Sequence, residues 1–136
     1  MQRIYLAVVG GIFAASGLWA CIDPLATAEF LGITAVDLSG ETEIRATYGG
    51  LVLGIGLLML CGVRWRRLAL AGLACVVFGV GALVATRLVV EVFFGGPGIA
   101  WNQGIIIAFE LIVVLAALLL FRQALAEQVR HRDDAD

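Results

Sequence analysis

Four apolar stretches of about 20 residues each constrain this chain more than any other feature of its sequence. They lie at about 4–22, 44–63, 68–90 and 103–121. A helix needs roughly 20 apolar residues to cross the ~30 Å hydrocarbon core of a bilayer, and a backbone in lipid must satisfy its own hydrogen bonds. The stretches do not alternate with a period of two, as the strands of a membrane barrel would. The sequence therefore predicts four transmembrane helices.

The composition fits a membrane protein and argues against other classes. Of the 136 residues, 62% are hydrophobic and 15% are charged, whereas a soluble domain is about half apolar and about a quarter charged. The length suits a single domain, and nothing resembles the basic surface of a nucleic-acid-binding protein. We predict an all-α four-helix transmembrane bundle over residues 1–122 and a charged cytoplasmic tail over 123–136. The lipid bilayer is the expected partner, and no nucleic acid is expected.

The arginines indicate which way the bundle sits in the membrane. Arg3 precedes the first predicted helix, the segment Arg64–Arg67 reads RWRR, and further arginines follow the fourth helix from Arg122 onward. The loop over residues 23–42 carries four acidic and no basic residues. Because arginine-bearing ends stay on the cytoplasmic side, both termini are predicted to be cytoplasmic. The expected location is a cytoplasmic (inner) membrane.

The stretch LWAC, Leu18–Cys21, leaves one alternative open. A bacterial lipoprotein signal also has a short charged start, an apolar run and a cysteine, and its cleavage would leave three spans anchored by a lipid on Cys21. Trp19 stands where such signals prefer a small residue, and the apolar run also suits an uncleaved span. We therefore favour an uncleaved first helix.

The cysteines and the histidine predict no metal site and no cofactor. Cys21 lies near the outer end of the first helix and Cys61 near the inner end of the second, so most of the membrane separates them, much more than the ~7 Å between Cα atoms that a disulfide allows. There is no C-x-x-C motif, and His131 stands alone in the charged tail. A thiol oxidoreductase or a His/Cys metal centre is therefore not expected.

The segment DPLATAEFLG, Asp23–Gly32, predicts a short helix in the first outer loop. Asp23 is a suitable N-cap, Pro24 suits the first helical position, and Gly32 can end the helix in a left-handed conformation. Its apolar residues favour one side, so the helix could lie on the membrane surface or cover the bundle as a lid. We favour a role as an ordered connector over that of a functional lid.

Glycines at four-residue spacing predict where the helices pack. Gly50 and Gly54 form a G-x-x-x-G pattern in the second helix, and small residues of this kind let transmembrane backbones approach closely. In the third helix, Gly79 lies on the same four-residue repeat as Arg87 and Glu91. We expect these faces to turn towards the interior of the bundle.

Charged residues at matching depths predict a polar cluster in the outer half of the bundle. Glu110 lies roughly 10 Å inside the outer end of the fourth helix, where an unpaired charge costs at least a few kcal/mol. Arg87 and Glu91 can pair within one helix because they are four residues apart, and either Arg87 or Arg45 could reach Glu110 across helices. We predict one ion network of Arg45, Arg87, Glu91 and Glu110, with Glu43, Tyr48, Asn102 and Gln103 near its mouth.

Two interpretations of this network are open. It can fix the register of the helices, because buried ion pairs often do so without adding stability. Alternatively, it can line a water-accessible pocket in which Glu110 titrates or the arginines hold an anionic head group.

Several segments together resemble the bacterial family catalogued as domain of unknown function 4345 (DUF4345). The similar segments are EIRATYGG at 43–50 and DPLATAEFLGI at 23–33, then Arg87, the loop FFGGPG and Glu110. The resemblance covers nearly the whole chain, and RATYGG is its most specific part. It implies a four-helix bacterial membrane protein without an established activity. It also implies that Arg45, Tyr48, Gly49 and Gly50 act as a unit.

Three functions are compatible with the sequence. The favoured one is a non-enzymatic accessory protein that binds a lipid or another membrane protein, with self-association as a further option. A small proton-coupled transporter could use Glu110, although the small multidrug exporters rely on a glutamate in their first helix and this first helix has none. A membrane enzyme acting on a lipid or isoprenoid could use Glu110 as acid–base and the arginines as an anion clamp. No recognised catalytic motif supports the enzyme.

Overall fold

The computed structural model describes residues 1–35, 37–93 and 101–133, which are helical apart from short turns and contain no strand. Four helices in this part of the chain are long and apolar enough to cross a membrane. They are the first span (Gln2–Ile22), the second (Leu38–Arg64), the third (Arg66–Val90) and the fourth (Gly104–Glu127). The predicted all-α four-helix bundle is confirmed, and its architecture is that of a multi-pass membrane protein.

The second span starts six residues earlier than the apolar stretch suggested. Its first helical residue is Leu38 rather than Ile44, because Asp37 caps the helix and its Oδ1 accepts a hydrogen bond from the Gly40 amide at 2.9 Å. The cap thus extends the helix into a polar segment that hydropathy alone would assign to a loop.

The fourth helix continues well into the charged tail. It runs over Trp101–Asp133, which adds about three turns beyond Arg122. The segment that follows Arg122 contains Ala124, Ala126 and Glu127, which are strong helix formers.

The short helix in the first loop, Pro24–Leu31, is confirmed together with its ends. The Oδ1 atom of Asp23 accepts a hydrogen bond from the Ala26 amide at 3.0 Å, and Gly32 ends the helix with φ of 71°. Thr27 and Ala28 are buried against the bundle, whereas Leu25 points outward. We call Pro24–Leu31 the loop helix, and the end of the bundle where it lies the loop-helix end.

The first and second spans form the most extensive contact among the described helices. Gly56 packs directly on the first span, and a Cβ atom there would collide with the backbone of Ala14 and approach the Gly10 carbonyl oxygen to 2.8 Å. A Cβ atom at Gly17 would likewise collide with the Leu53 backbone. Only glycine permits this closeness of the two backbones.

The apolar core lies towards the opposite end of the bundle, near the turn at Trp65 that joins the second and third spans, which we call the hairpin end. Its fully buried side chains include Leu6, Met59, Leu73 and Val76. The third span contacts the second mainly through Arg66–Ala74, whereas its remaining length contacts mainly the fourth. The second and third spans therefore meet at the hairpin end and separate towards the loop-helix end, while each stays packed on its other neighbour, the first or the fourth span.

Two stretches of π-helix interrupt the spans, Arg45–Leu51 in the second and Cys75–Val80 in the third. A π-helix contains one more residue per hydrogen-bonded turn than an α-helix and often marks a functional region. Both stretches contribute residues to the cleft described below.

Candidate functional site

A large cleft opens where the helices separate. Its volume is about 1260 Å³. All four spans and the loop helix contribute to its wall, which is formed almost entirely by apolar side chains. Aromatic residues are prominent, namely Phe13, Trp19, Phe30, Tyr48, Phe78 and Phe109. The loop helix contributes Thr27, Phe30 and Leu31, so it lies beside the cleft.

One ion pair lies in this apolar wall. The Arg87 guanidinium donates a hydrogen bond from Nη1 to Oε2 of Glu110 at 2.8 Å, and it joins the third and fourth spans. The side chains are 29% and 13% exposed, respectively, so both remain accessible from the cleft while being largely shielded. A charge-assisted hydrogen bond of this length is a strong one.

The structure places the two arginines of the predicted network, Arg45 and Arg87, in separate ion pairs. Arg45 forms its ion pair with Glu41, one turn earlier in the same span, at 3.3 Å. Neither of these two residues lines the cleft. Of the two arginines that could have reached Glu110, it is therefore Arg87 that does so, because the third span contacts the fourth in this region.

The remaining predicted members of the network have different positions. Tyr48 is half-buried and lines the cleft with Arg87 and Glu110, whereas Glu43 is exposed and does not line it. The side chains of Glu91, Asn102 and Gln103 lie outside the part of the chain that the structure describes.

The structure places the predicted packing glycines in different surroundings. Gly49 is buried, and a Cβ atom added to it would lie 2.5 Å from the Sγ atom of Cys21. Gly54 and Gly79 have open space where a Cβ atom would be, and Gly50 would meet only the carbonyl oxygen of Arg45, at 3.8 Å. Gly79 faces the cleft, while Gly54 is exposed on the outer surface of the second span.

The segment RATYGG contacts the first span through its backbone. The Cys21 thiol donates to the carbonyl oxygen of Arg45 at 3.8 Å, and Cys21 also packs on Gly49. Arg45 and Gly49 thus meet the same side chain, and the π-helical turns between them bring Thr47 and Tyr48 to the cleft wall. This geometry supplies a physical reason for treating the segment as a unit.

Sequence reasoning missed most of the cleft wall. Phe78 and Phe109, together with Cys75, have the same apolar character as residues that face lipid, so hydropathy does not distinguish them. The nearest signal was the four-residue repeat in the third span, since Cys75, Gly79 and Arg87 all lie on it and all line the cleft.

The chemistry available in the cleft suits binding. Besides the ion pair, the polar groups of the wall are mainly the hydroxyls of Ser16, Thr27, Thr47 and Tyr48. Within the described residues, no three His, Cys, Asp or Glu side chains are grouped closely enough to hold a metal ion. A large apolar cleft with one ion pair and a few hydroxyls in its wall is complementary to an amphipathic molecule.

A comparison with models of protein families assigns the chain to one family. The family model described as Domain of unknown function (DUF4345) matches residues 1–121. The chain therefore belongs to the DUF4345 family, as the resemblance of EIRATYGG and the other segments implied. No curated protein and no solved structure matches it.

Proposed function

We propose that this chain, as a member of the DUF4345 family, is a non-enzymatic membrane protein that holds an amphipathic molecule in its cleft. The apolar chain of the ligand lies along the aromatic and aliphatic wall. Its polar end lies at Arg87 and Glu110. The observation that carries this proposal is an apolar cleft of about 1260 Å³ with one ion pair in its wall.

The size of the cleft supports a lipid-like ligand. Sites for drug-sized molecules have volumes of about 300–1,000 Å³, so this cleft is larger than the usual range. The surrounding bilayer supplies molecules with long chains, and a cleft between membrane helices can exchange them with the lipid phase. The bilayer already keeps an apolar chain out of water, so the cleft is not needed for that. The specificity of the cleft for its ligand must therefore come from contacts with the polar end of the ligand.

The ion pair has unused capacity for that polar end. An arginine carries five N–H donors and a carboxylate carries two oxygens. Arg87 and Glu110 share one hydrogen bond, between Nη1 and Oε2. The remaining donors and the second oxygen can bind a hydroxyl, carbonyl or phosphate oxygen of the ligand. Tyr48 adds a phenolic hydroxyl to the same cleft.

Filling the cleft is expected to displace the ligand without unfolding the protein. Gly79 lines the cleft and has no atom within 4 Å of an added Cβ, so Gly79→Leu projects a side chain into the open volume. Native mass spectrometry of the full chain released from mild detergent should show a retained amphiphile on the wild type. The Gly79→Leu variant should retain it at least about tenfold less, which corresponds to ~1.4 kcal/mol.

Gly54→Leu is the matched control for this experiment. Gly54 also has no atom within 4 Å of an added Cβ, but it lies outside the cleft wall. It should retain the amphiphile as the wild type does. Equal retention by all three proteins, or equal loss in both variants, would contradict the proposal.

We also propose that both termini face the cytoplasm of a bacterium and that the loop-helix end faces outward. The arginines at residues 64–67 and after the fourth span support this orientation. Green fluorescent protein fused after Asp136 should fluoresce in cells, and alkaline phosphatase at the same position should be inactive. Alkaline phosphatase fused after Phe93 should be active. An active phosphatase after Asp136 would reverse the proposed orientation.

A further inference from the structure

A second, smaller pocket lies at the hairpin end of the bundle and is separate from the cleft. Its volume is about 220 Å³. Residues from all four helices form it, namely Gln2, Arg3, Leu6, Gly62, Val63, Arg66, Ala69 and Glu127. None of them lines the large cleft, so the proposed amphiphile site does not account for this pocket.

Two arginines from different helices line this pocket. Arg3 comes from the first span and Arg66 from the start of the third, and Glu127 is the one acidic residue that lines the pocket with them. Among the described side chains, Arg3 forms no ion pair. The pocket therefore carries an excess of positive charge.

The contact between Arg66 and Glu127 leaves Arg66 available to a ligand. Their nearest atoms, Nη2 and Oε2, are 3.5 Å apart, and the side chains are 70% and 66% exposed. Exposed pairs of this kind contribute little to stability, because water screens them and both side chains lose freedom. A stronger acceptor can bind Arg66 at small cost.

We propose that this pocket binds a phosphate group between Arg3 and Arg66. Arginine forms paired N–H···O hydrogen bonds with phosphate, which makes it the preferred residue for such recognition. The pocket is large enough for a small oxyanion and has an apolar floor at Leu6, Val63 and Ala69. Basic pockets between membrane helices bind anionic lipid head groups in this way, so the phosphate can belong to a phospholipid or be free in solution.

The test compares two double variants that lose the same charge. Arg3→Gln with Arg66→Gln removes both pocket arginines. Arg64→Gln with Arg67→Gln removes the other two arginines of the segment Arg64–Arg67, which do not line the pocket. The full chain is exposed to mixed micelles of phosphatidylglycerol and phosphatidylcholine, and the bound lipids are counted by native mass spectrometry. We expect selective retention of phosphatidylglycerol to fall about tenfold in the pocket variant and little in the control.

A competition with inorganic phosphate distinguishes the two sources of the ligand. If millimolar phosphate displaces phosphatidylglycerol from the wild type, the pocket recognises phosphate in either form. If it does not, the lipid is the ligand. Equal losses in both double variants would show a general charge effect and overturn the proposal, as would no loss in the pocket variant. The single variant Arg3→Gln, at an exposed side chain, repeats the test if the double variant fails to fold.

Discussion

Gly56→Leu is expected to destabilise the folded bundle by about 3 kcal/mol, whereas Gly54→Leu should change the free energy of unfolding by less than about 0.5 kcal/mol. The two glycines are two residues apart in one helix, but their surroundings differ. A Cβ atom at Gly56 would collide with the backbone of Ala14. At Gly54 it would meet no atom within 4 Å. Backbone atoms cannot move aside as the end of a flexible side chain can, so the first and second spans would have to separate.

Unfolding of the full chain in mixed micelles, followed by circular dichroism, measures both effects. Gly17→Leu provides a second variant at the same interface, because its added Cβ would collide with the Leu53 backbone. It should be destabilised as Gly56→Leu is. If Gly54→Leu proved the more damaging substitution, the packing of the first two spans would have to follow the G-x-x-x-G face instead.

Arg87→Gln is expected to destabilise the protein by about 2–3 kcal/mol, because it leaves the Glu110 carboxylate without its charged partner in an apolar wall. Removing one partner of a fully buried pair costs about 3–5 kcal/mol. The smaller figure applies here because the two side chains are 29% and 13% exposed. Glu110→Gln should have an effect of similar size.

The double variant with Arg87→Gln and Glu110→Gln should be more stable than the sum of the single effects predicts, since it removes both charges together. Arg45 and Glu41 supply the control cycle. Their side chains are 41% and 27% exposed and lie four residues apart in one helix, so their coupling should be only about 0.3–0.5 kcal/mol. If the coupling energy between Arg87 and Glu110 were no larger than that between Arg45 and Glu41, the contribution of each cleft charge to stability would not depend on the other charge.

The spans and the loop helix could be predicted from sequence because their causes are local. The number of apolar residues fixes each crossing, and the loop helix follows from Asp23, Pro24 and Gly32. The second span begins at Leu38, before its apolar stretch, because the Asp37 cap acts on polar residues that a hydropathy argument does not count.

The glycine contacts could not be predicted with the same certainty, because several glycine faces compete on each helix. In the second span, Gly50 and Gly54 share one face. Gly49 and Gly56 share another, because they are seven residues apart, which is nearly two helical turns. The structure packs the first span on Gly49 and Gly56. Which face is used depends on the partner helix, and the π-helical turns at Arg45–Leu51 shift the faces further.

The ion pair was predicted in part and the cleft was not predicted as a shape. Depth along the helices placed Arg87, Arg45 and Glu110 at similar levels, but depth does not determine which helices are neighbours. The cleft arises because the second and third spans diverge away from the hairpin end, and its wall has the same residue types as the lipid-facing surface. In the sequence, only the four-residue repeat that contains Cys75 and Arg87 distinguished one face of the third span from the others.

The central claim is that an apolar chain enters the cleft, and fluorine NMR of a trifluoromethyl tag on Cys75 tests it most directly. Cys75 lines the cleft and Cys61 does not, so the two native cysteines can be tagged one at a time in a Cys21→Ser background with the other changed to alanine. Titration with oleyl alcohol should shift the Cys75 resonance until it saturates and should leave the Cys61 resonance in place. If both resonances moved together without saturating, or if neither moved, the cleft would not be a binding site for amphipathic molecules.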